Sequence, residues 1–401
     1  MADNWPNWRG PGHNGVATGE NYPTKWSTTE NVLWKVALPG KGASTPVVWG
    51  DKIFLTYGSD KKNTAVCLDR SGKQLWSVAI GTEKEGKHKK ATGSNSSPVT
   101  DGTHVFVYFK SGDLACLDFS GKVVWEKNLQ KLYGEDTLWW DLGTSPVLTK
   151  TGVVVAVMQS EPSPSYLVSF EKATGKELWM QKRNVPAPSE AAQSYSTPVV
   201  LDDGKQEILV TVGADHVTAH EGASGKELWR VGGLNPTQNG FFRSIASAVI
   251  ADGIVIAPYA RGATITGIKL GGSGDVTQTH VLWTRQKLGA DVPTPASVKD
   301  KVYLCTDKGE LHCLNAKTGE SIWSGQAEKK NAAFSASPVV AGNKVYLTRE
   351  DGKTFVHELG SEFKVLGENE LKGEYVVATP VFVDGQILIR TLENLYCIGT
   401  K

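Results

Sequence analysis

Hydrophobic and polar residues alternate along this chain in short strokes. A segment such as Lys52-Ile-Phe-Leu-Thr-Tyr57 reads as a half-buried strand, and a turn separates it from the next, Ala65-Val-Cys-Leu-Asp69. The pattern then recurs. A tetrad begins each unit: Ser44-Thr-Pro46-Val, Ser96-Ser-Pro98-Val, Thr144-Ser-Pro146-Val, Ser196-Thr-Pro198-Val, Ala246-Ser-Ala248-Val, Pro293-Thr-Pro295-Ala, Ala336-Ser-Pro338-Val and Ala378-Thr-Pro380-Val. The copies lie 42 to 52 residues apart, a spacing typical of propeller blades. Each unit reads as four strands. The third leads through a tight turn into a tryptophan strand, as in Leu68-Asp-Arg-Ser-Gly-Lys-Gln-Leu-Trp76 and Leu117-Asp-Phe-Ser-Gly-Lys-Val-Val-Trp125. The turn glycine supplies a positive φ, and the tryptophan offers a wide face to the neighbouring sheet.

Four strands in eight copies predict an all-β chain, an eight-bladed β-propeller of four-stranded antiparallel blades. The last copy ends at Leu395-Tyr-Cys-Ile-Gly399 without a tryptophan strand, and the chain opens with a spare one, Asn31-Val-Leu-Trp34-Lys-Val-Ala-Leu38. The N-terminal strand is therefore expected to complete the last blade and close the ring. Residues 1–30 read as an arm packed on the propeller, and 31–401 as one propeller domain. Blade five carries an insert at Gly271–Gln278, and blade seven lacks its tryptophan.

Composition narrows the function. Lys and Arg number 43 against 42 Asp and Glu, so no excess of positive charge argues for a nucleic-acid partner. Apolar runs are too short to span a membrane. Four of five cysteines (Cys67, Cys116, Cys313, Cys397) share one strand position and read as small buried residues rather than a disulfide framework. Met1–Gly10 lacks the pattern of a secretory leader.

The Ser/Thr-Gly-Lys-x-x-Trp turn and strand resembles the tryptophan-docking motif of the quinoprotein, or PQQ-like repeat, propellers across residues 31–401. The arm Trp5-Pro-Asn-Trp-Arg-Gly-Pro-Gly-His-Asn-Gly15 resembles the secreted bacterial branch. That family includes dehydrogenases that hold pyrroloquinoline quinone with calcium. It also includes cofactor-free scaffolds, among them the lipoprotein that assists outer-membrane barrel assembly. The chain has no Cys-Cys pair and no Cys-x-x-Cys-His, so no cofactor is expected. The resemblance implies a periplasmic or secreted protein, with a cytoplasmic location left open by the missing leader.

In a propeller, the loops before the innermost strands and between the second and third strands gather at one mouth of the channel. This places His88, Asn95, Trp139, Trp140, Asp141, Gln193, Tyr195, Phe241, Phe242, Arg243, Asp291, Phe334 and Tyr375 on the rim. The other loop class adds Glu161, Tyr259, Arg261, Arg349 and Glu350. Trp140, Tyr195, Phe242 and Tyr375 are expected to form an aromatic collar, Asp141 and Asp291 paired acids, and Arg243 and Arg261 anion clamps. The basic loop Lys84–Lys90 is expected to be solvated. Two readings follow. The first is a cofactor-free, monomeric scaffold or binding module for a protein or a carbohydrate. The second is a funnel enzyme, carbohydrate-active or a PQQ-dependent dehydrogenase.

Overall fold

A computed structural model describes residues 3–400 of the chain. Seven sheets are built from consecutive strands, beginning with Val47–Trp49, Lys52–Ser59, Lys62–Asp69 and Gln74–Thr82 in blade one. The eighth joins Val381–Val383, Gln386–Arg390 and Asn394–Ile398 to Val32–Ala37 from the N-terminus. The expected closure is thus present, with Trp34 opposite Cys397 and Val36 opposite Leu395.

The tryptophans explain how one blade registers against the next. The indole of Trp76 donates to the Phe119 carbonyl at 3.0 Å, Trp125 to Lys172 at 2.8 Å and Trp283 to Ala316 at 2.9 Å. Each acceptor lies in the turn of the following blade. Trp34, arriving from the far end of the chain, makes the same joint to Arg70 at 2.8 Å. The turn glycine lies against the ring: a Cβ on Gly121, which has φ +90°, would stand 2.8 Å from Trp76. The recurring cysteines serve this joint too. Cys67, Cys116, Cys313 and Cys397 are the cross-strand partners of Trp76, Trp125, Trp323 and Trp34, and small Ser169, Ala219 and Gly267 take that position opposite Trp179, Trp229 and Trp283. All five cysteines are buried and free. Burial pushes the Cys67, Cys116 and Cys397 thiols up to about 12.

The two irregular blades adjust locally. The blade-five insert folds back on blade four, where Gly274–Asp275 pairs in parallel with Trp229 and Arg230 as a fifth strand. In blade seven Phe363 covers Trp323, ring centroids 6.3 Å apart, and Gly360 supplies the carbonyl for its indole.

The tetrads build the axis. Their second residue is Ser or Thr in all eight copies, and its hydroxyl accepts the backbone amide of the preceding blade's equivalent residue. The ring runs through Thr45, Ser97, Ser145, Thr197, Ser247, Thr294, Ser337 and Thr379, and returns to Thr45, with every bond between 2.8 and 3.2 Å. One end of the axis is covered by the N-terminal arm. Trp5 exchanges two backbone bonds with Val48, and the Gly15 and Pro6 carbonyls accept the Val340 and Thr100 amides.

Candidate functional site

At the opposite end the channel opens into a cavity of about 530 Å³. Of the nine principal rim candidates, His88, Asn95, Trp140, Asp141, Tyr195, Arg243, Arg261 and Asp291 line it. Tyr375 does not; its hydroxyl donates to Glu350 at 2.8 Å beside the cavity. The sequence therefore located the mouth, but several expected roles change.

Asp141 and Asp291 are not a pair. Asp141 accepts Lys110 Nζ at 2.5 Å and the amides of Lys87 and His88, each at 2.9 Å. The carboxylate is buried and anchors the loop that bears the basic run. That loop is an anchored wall of the mouth whose Lys84, Lys87 and Lys89 side chains remain solvated as expected, and Lys90 continues the wall through Glu350 at 2.5 Å. Asp291 faces Arg243 at 3.1 Å and Arg261 at 4.0 Å. Arg243 also faces Glu190 at 3.4 Å, so it is a bridge between two acids and not an open anion clamp. Arg261 is the more exposed of the two arginines.

The four-membered collar does not form. Tyr195 is a buried pillar whose hydroxyl donates to Gln193 Oε1 at 2.9 Å and accepts the Trp140 amide at 3.2 Å; burial pushes that hydroxyl up. Phe242 packs into the hydrophobic cluster of blades four and five. Trp140 instead meets His88 edge to face at 6.0 Å. Phe334 and Arg349 are buried, and Arg349 is held by Glu328 and Asp351. Asn95 has a structural role, with its side chain bonded to Thr92 and Leu142.

Three residues of the mouth were not singled out from the sequence. Lys110 and Asp307 lie in the same second-to-third-strand loops that yielded Arg261, so loop position alone would have found them. Asp307 accepts the amides of Asp291 and Val292 at 2.7 and 3.1 Å, and burial lifts its carboxyl above the usual range. Glu190 sits in the Ser189–Ala192 turn. It has no repeat signature, and only the fold brings it beneath Trp140.

Three large aromatic side chains are among the exposed residues of this end. Trp139, Trp140 and Phe241 are 48%, 46% and 62% exposed. The Ser189–Ala192 turn joins them: Trp140 Nε1 donates to Glu190 at 2.8 Å, the Trp139 amide to Gln193 at 2.9 Å, and the Ala191 amide to the Gly240 carbonyl at 3.1 Å.

A tricarboxylate quinone with calcium requires free cationic donors and free carboxylate oxygens. Here Arg243, Lys110, Asp141 and Asp291 are bonded to one another or to backbone amides, so these four are not free to hold that group. Among the described residues no cluster of three or more His, Cys, Asp or Glu side chains is placed to hold a metal, and no helix is long and apolar enough to cross a membrane.

These features define an eight-bladed PQQ-like propeller with a closed axis and an aromatic rim. The sequence profile of the family described as outer membrane protein assembly factor BamB matches residues 12–163, 140–277 and 274–358, and the chain belongs to this family. It is 22% identical over 370 residues to the outer membrane protein assembly factor BamB of Shewanella oneidensis, covering 89% of this chain and 84% of that protein. It is 23% identical over 376 residues to the factor of the same name from Burkholderia pseudomallei, covering 80% and 86%. In structure it resembles BamB from Moraxella catarrhalis, with a TM-score of 0.66, 14% identity and coverage of 92% of this chain and 99% of that one. It also resembles a europium-containing methanol dehydrogenase, with a TM-score of 0.77, 11% identity and coverage of 99% and 98%. At these identities the structural likenesses show the fold.

Proposed function

We propose that this protein is a non-catalytic scaffold in outer-membrane protein assembly. It would work on the periplasmic side and dock a protein partner on the rim formed by Trp139, Trp140 and Phe241. The observation that carries this reading is the rim itself. Three large aromatic side chains stand exposed, with the Trp139 and Trp140 amides held by Gln193 and Tyr195, the Trp140 indole held by Glu190, and Gly240, beside Phe241, bonded to Ala191. Exposed aromatic anchors on rigid supports are the usual hot spots of protein interfaces. Several charged groups beneath them are paired with one another, Lys110 with Asp141 and Arg243 with Glu190 and Asp291, which suits a rigid support. The family's role in outer-membrane protein assembly agrees.

The test is complementation. A host lacking this protein receives the wild type or a Trp139→Ser/Trp140→Ser/Phe241→Ser variant, and outer-membrane integrity is read from detergent sensitivity. The variant is expected to fold and to fail. Full complementation by the folded variant would refute the rim as the docking surface. A photo-crosslinking residue at position 241 should trap a component of outer-membrane protein assembly.

A carbohydrate in the mouth is the second reading, favoured by the Trp140 face in a cavity of about 530 Å³ that His88, Arg261 and Asp291 also line. Calorimetric titration with a panel of sugars, repeated on Trp140→Ala, tests it.

A further inference from the structure

The hydroxyl ring of the axis has a chemical asymmetry. Each of its eight oxygens accepts an amide from the preceding blade, so each O–H hydrogen is free to donate. Among the described residues none of these hydrogens has a protein acceptor. All eight face a channel cavity of about 120 Å³, which has room for a small ion and some water. The remaining wall includes Ala43, Ile245, Val292, Val377 and Ala378, and it contains no carboxylate.

The floor of this cavity is Trp8, from the arm. Behind the indole lies Arg9, its guanidinium carbon 5.4 Å from the Trp8 ring centroid. Arg9 is buried and donates to the carbonyls of Pro295 and Pro338 at 2.7 and 3.1 Å. These prolines directly follow the ring residues Thr294 and Ser337. No carboxylate among the described residues lies within ion-pair distance of Arg9, and its Nε has no partner. Burial lowers its pKa to about 9. A buried cation normally has a counter-ion, because an uncompensated charge in an apolar interior is costly.

We propose that the axial channel is a binding site for a small inorganic monoanion of the halide class, held by ring hydroxyls and neutralising Arg9. Donors without acceptors suit an anion, and the absence of wall carboxylates disfavours a cation. The site lies directly below the mouth, sharing Asn95, Tyr195, Ile245 and Val292 with it, but none of Trp139, Trp140 and Phe241 lines it. An anion in the ring would tie several blades and the arm together, and halide would then stabilise the fold by linkage.

The direct test uses wild-type protein. Crystals grown in sodium bromide are measured at the bromine edge. An anomalous peak inside the hydroxyl ring is expected; ordered water there without anomalous signal, or bromide at surface lysines only, overturns the proposal. In solution, thermal unfolding is compared in sodium bromide and in sodium gluconate at equal ionic strength, gluconate being too large for the cavity. The wild type should melt higher in bromide, and Arg9→Gln and Ser247→Ala should lose that difference. Equal melting of the wild type in both salts overturns it as well.

Discussion

Asp141→Asn would separate an anchoring role from a ligand-binding one. The carboxylate holds Lys110 at 2.5 Å and two amides of the basic loop at 2.9 Å, all away from bulk water. Removing one partner of a buried ion pair costs about 3–5 kcal/mol, chiefly because the other charge is left unpaired. Lys110 Nζ also donates to the Glu85 carbonyl at 2.6 Å, and asparagine retains one oxygen for the loop amides. Both points favour the lower end, about 3 kcal/mol. Equilibrium urea unfolding should show that loss as a lower midpoint at constant slope. Hydrogen exchange should quicken in Lys84–Lys90 while the blade strands stay protected.

The double variant Lys110→Met/Asp141→Asn checks the cause. If the cost is the stranded ammonium, removing that ammonium restores part of the stability, so the double variant is more stable than Asp141→Asn alone. A loss under about 0.5 kcal/mol with unchanged exchange in the loop would refute the anchoring role. It would return Asp141 to the list of groups free to meet a ligand.

Three further outcomes follow from the same geometry. Trp34→Ala should cost about 3 kcal/mol in urea unfolding, close to Trp76→Ala, because ring closure uses the same indole-to-carbonyl joint as an internal blade; a cost below about 1 kcal/mol would mean that the ring is closed by other contacts. Gly121→Ala should destabilise more than Gly204→Ala when their melting temperatures are compared, since both have positive φ but only Gly121 would drive its Cβ into a tryptophan, at 2.8 Å. Buried His357 has its pKa lowered by desolvation to about 4 against an unfolded value of 6.5, so its contribution is complete above pH 6.5 and is lost as pH falls through about 4. The full swing is about 3 kcal/mol, and His357→Leu should flatten that part of the stability–pH curve.

The architecture was legible because a repeat states its structure eight times. The glycine turn, the tryptophan strand and the spare Asn31–Leu38 segment together determined blade count and closure. The small residue opposite each tryptophan was visible as a cysteine pattern, although its purpose emerged only when Cys67 and Trp76 appeared as cross-strand partners. The mouth was legible in position but not in pairing. Loop order located eight of nine candidates on one cavity, yet a linear sequence does not show which acid neutralises which base. Asp141 meets Lys110 and Arg243 meets Glu190 across gaps of 31 and 53 residues, set by neighbouring blades rather than by any local motif.

The same contrast bears on function. Repeating positions serve the ring: tetrad hydroxyls bond blade to blade, and tryptophans dock on turns. Beyond the blade-five insert and the missing blade-seven tryptophan, departures from the repeat also lie at the mouth and its rim. Trp139-Trp140 and Phe241-Phe242 stand five and four residues before the tetrads of blades three and five, whereas Glu190 has no counterpart, and Trp139, Trp140 and Phe241 share one supporting turn. Regular blades could hold a cofactor or none, so they do not distinguish a dehydrogenase from a scaffold. The pairing of charges at the mouth is what supports the proposed scaffold reading. Arg243 with Asp291 and Lys110 with Asp141 bind one another beneath exposed aromatic faces and stiffen the surface proposed for docking, while His88 and Arg261 remain exposed at the mouth.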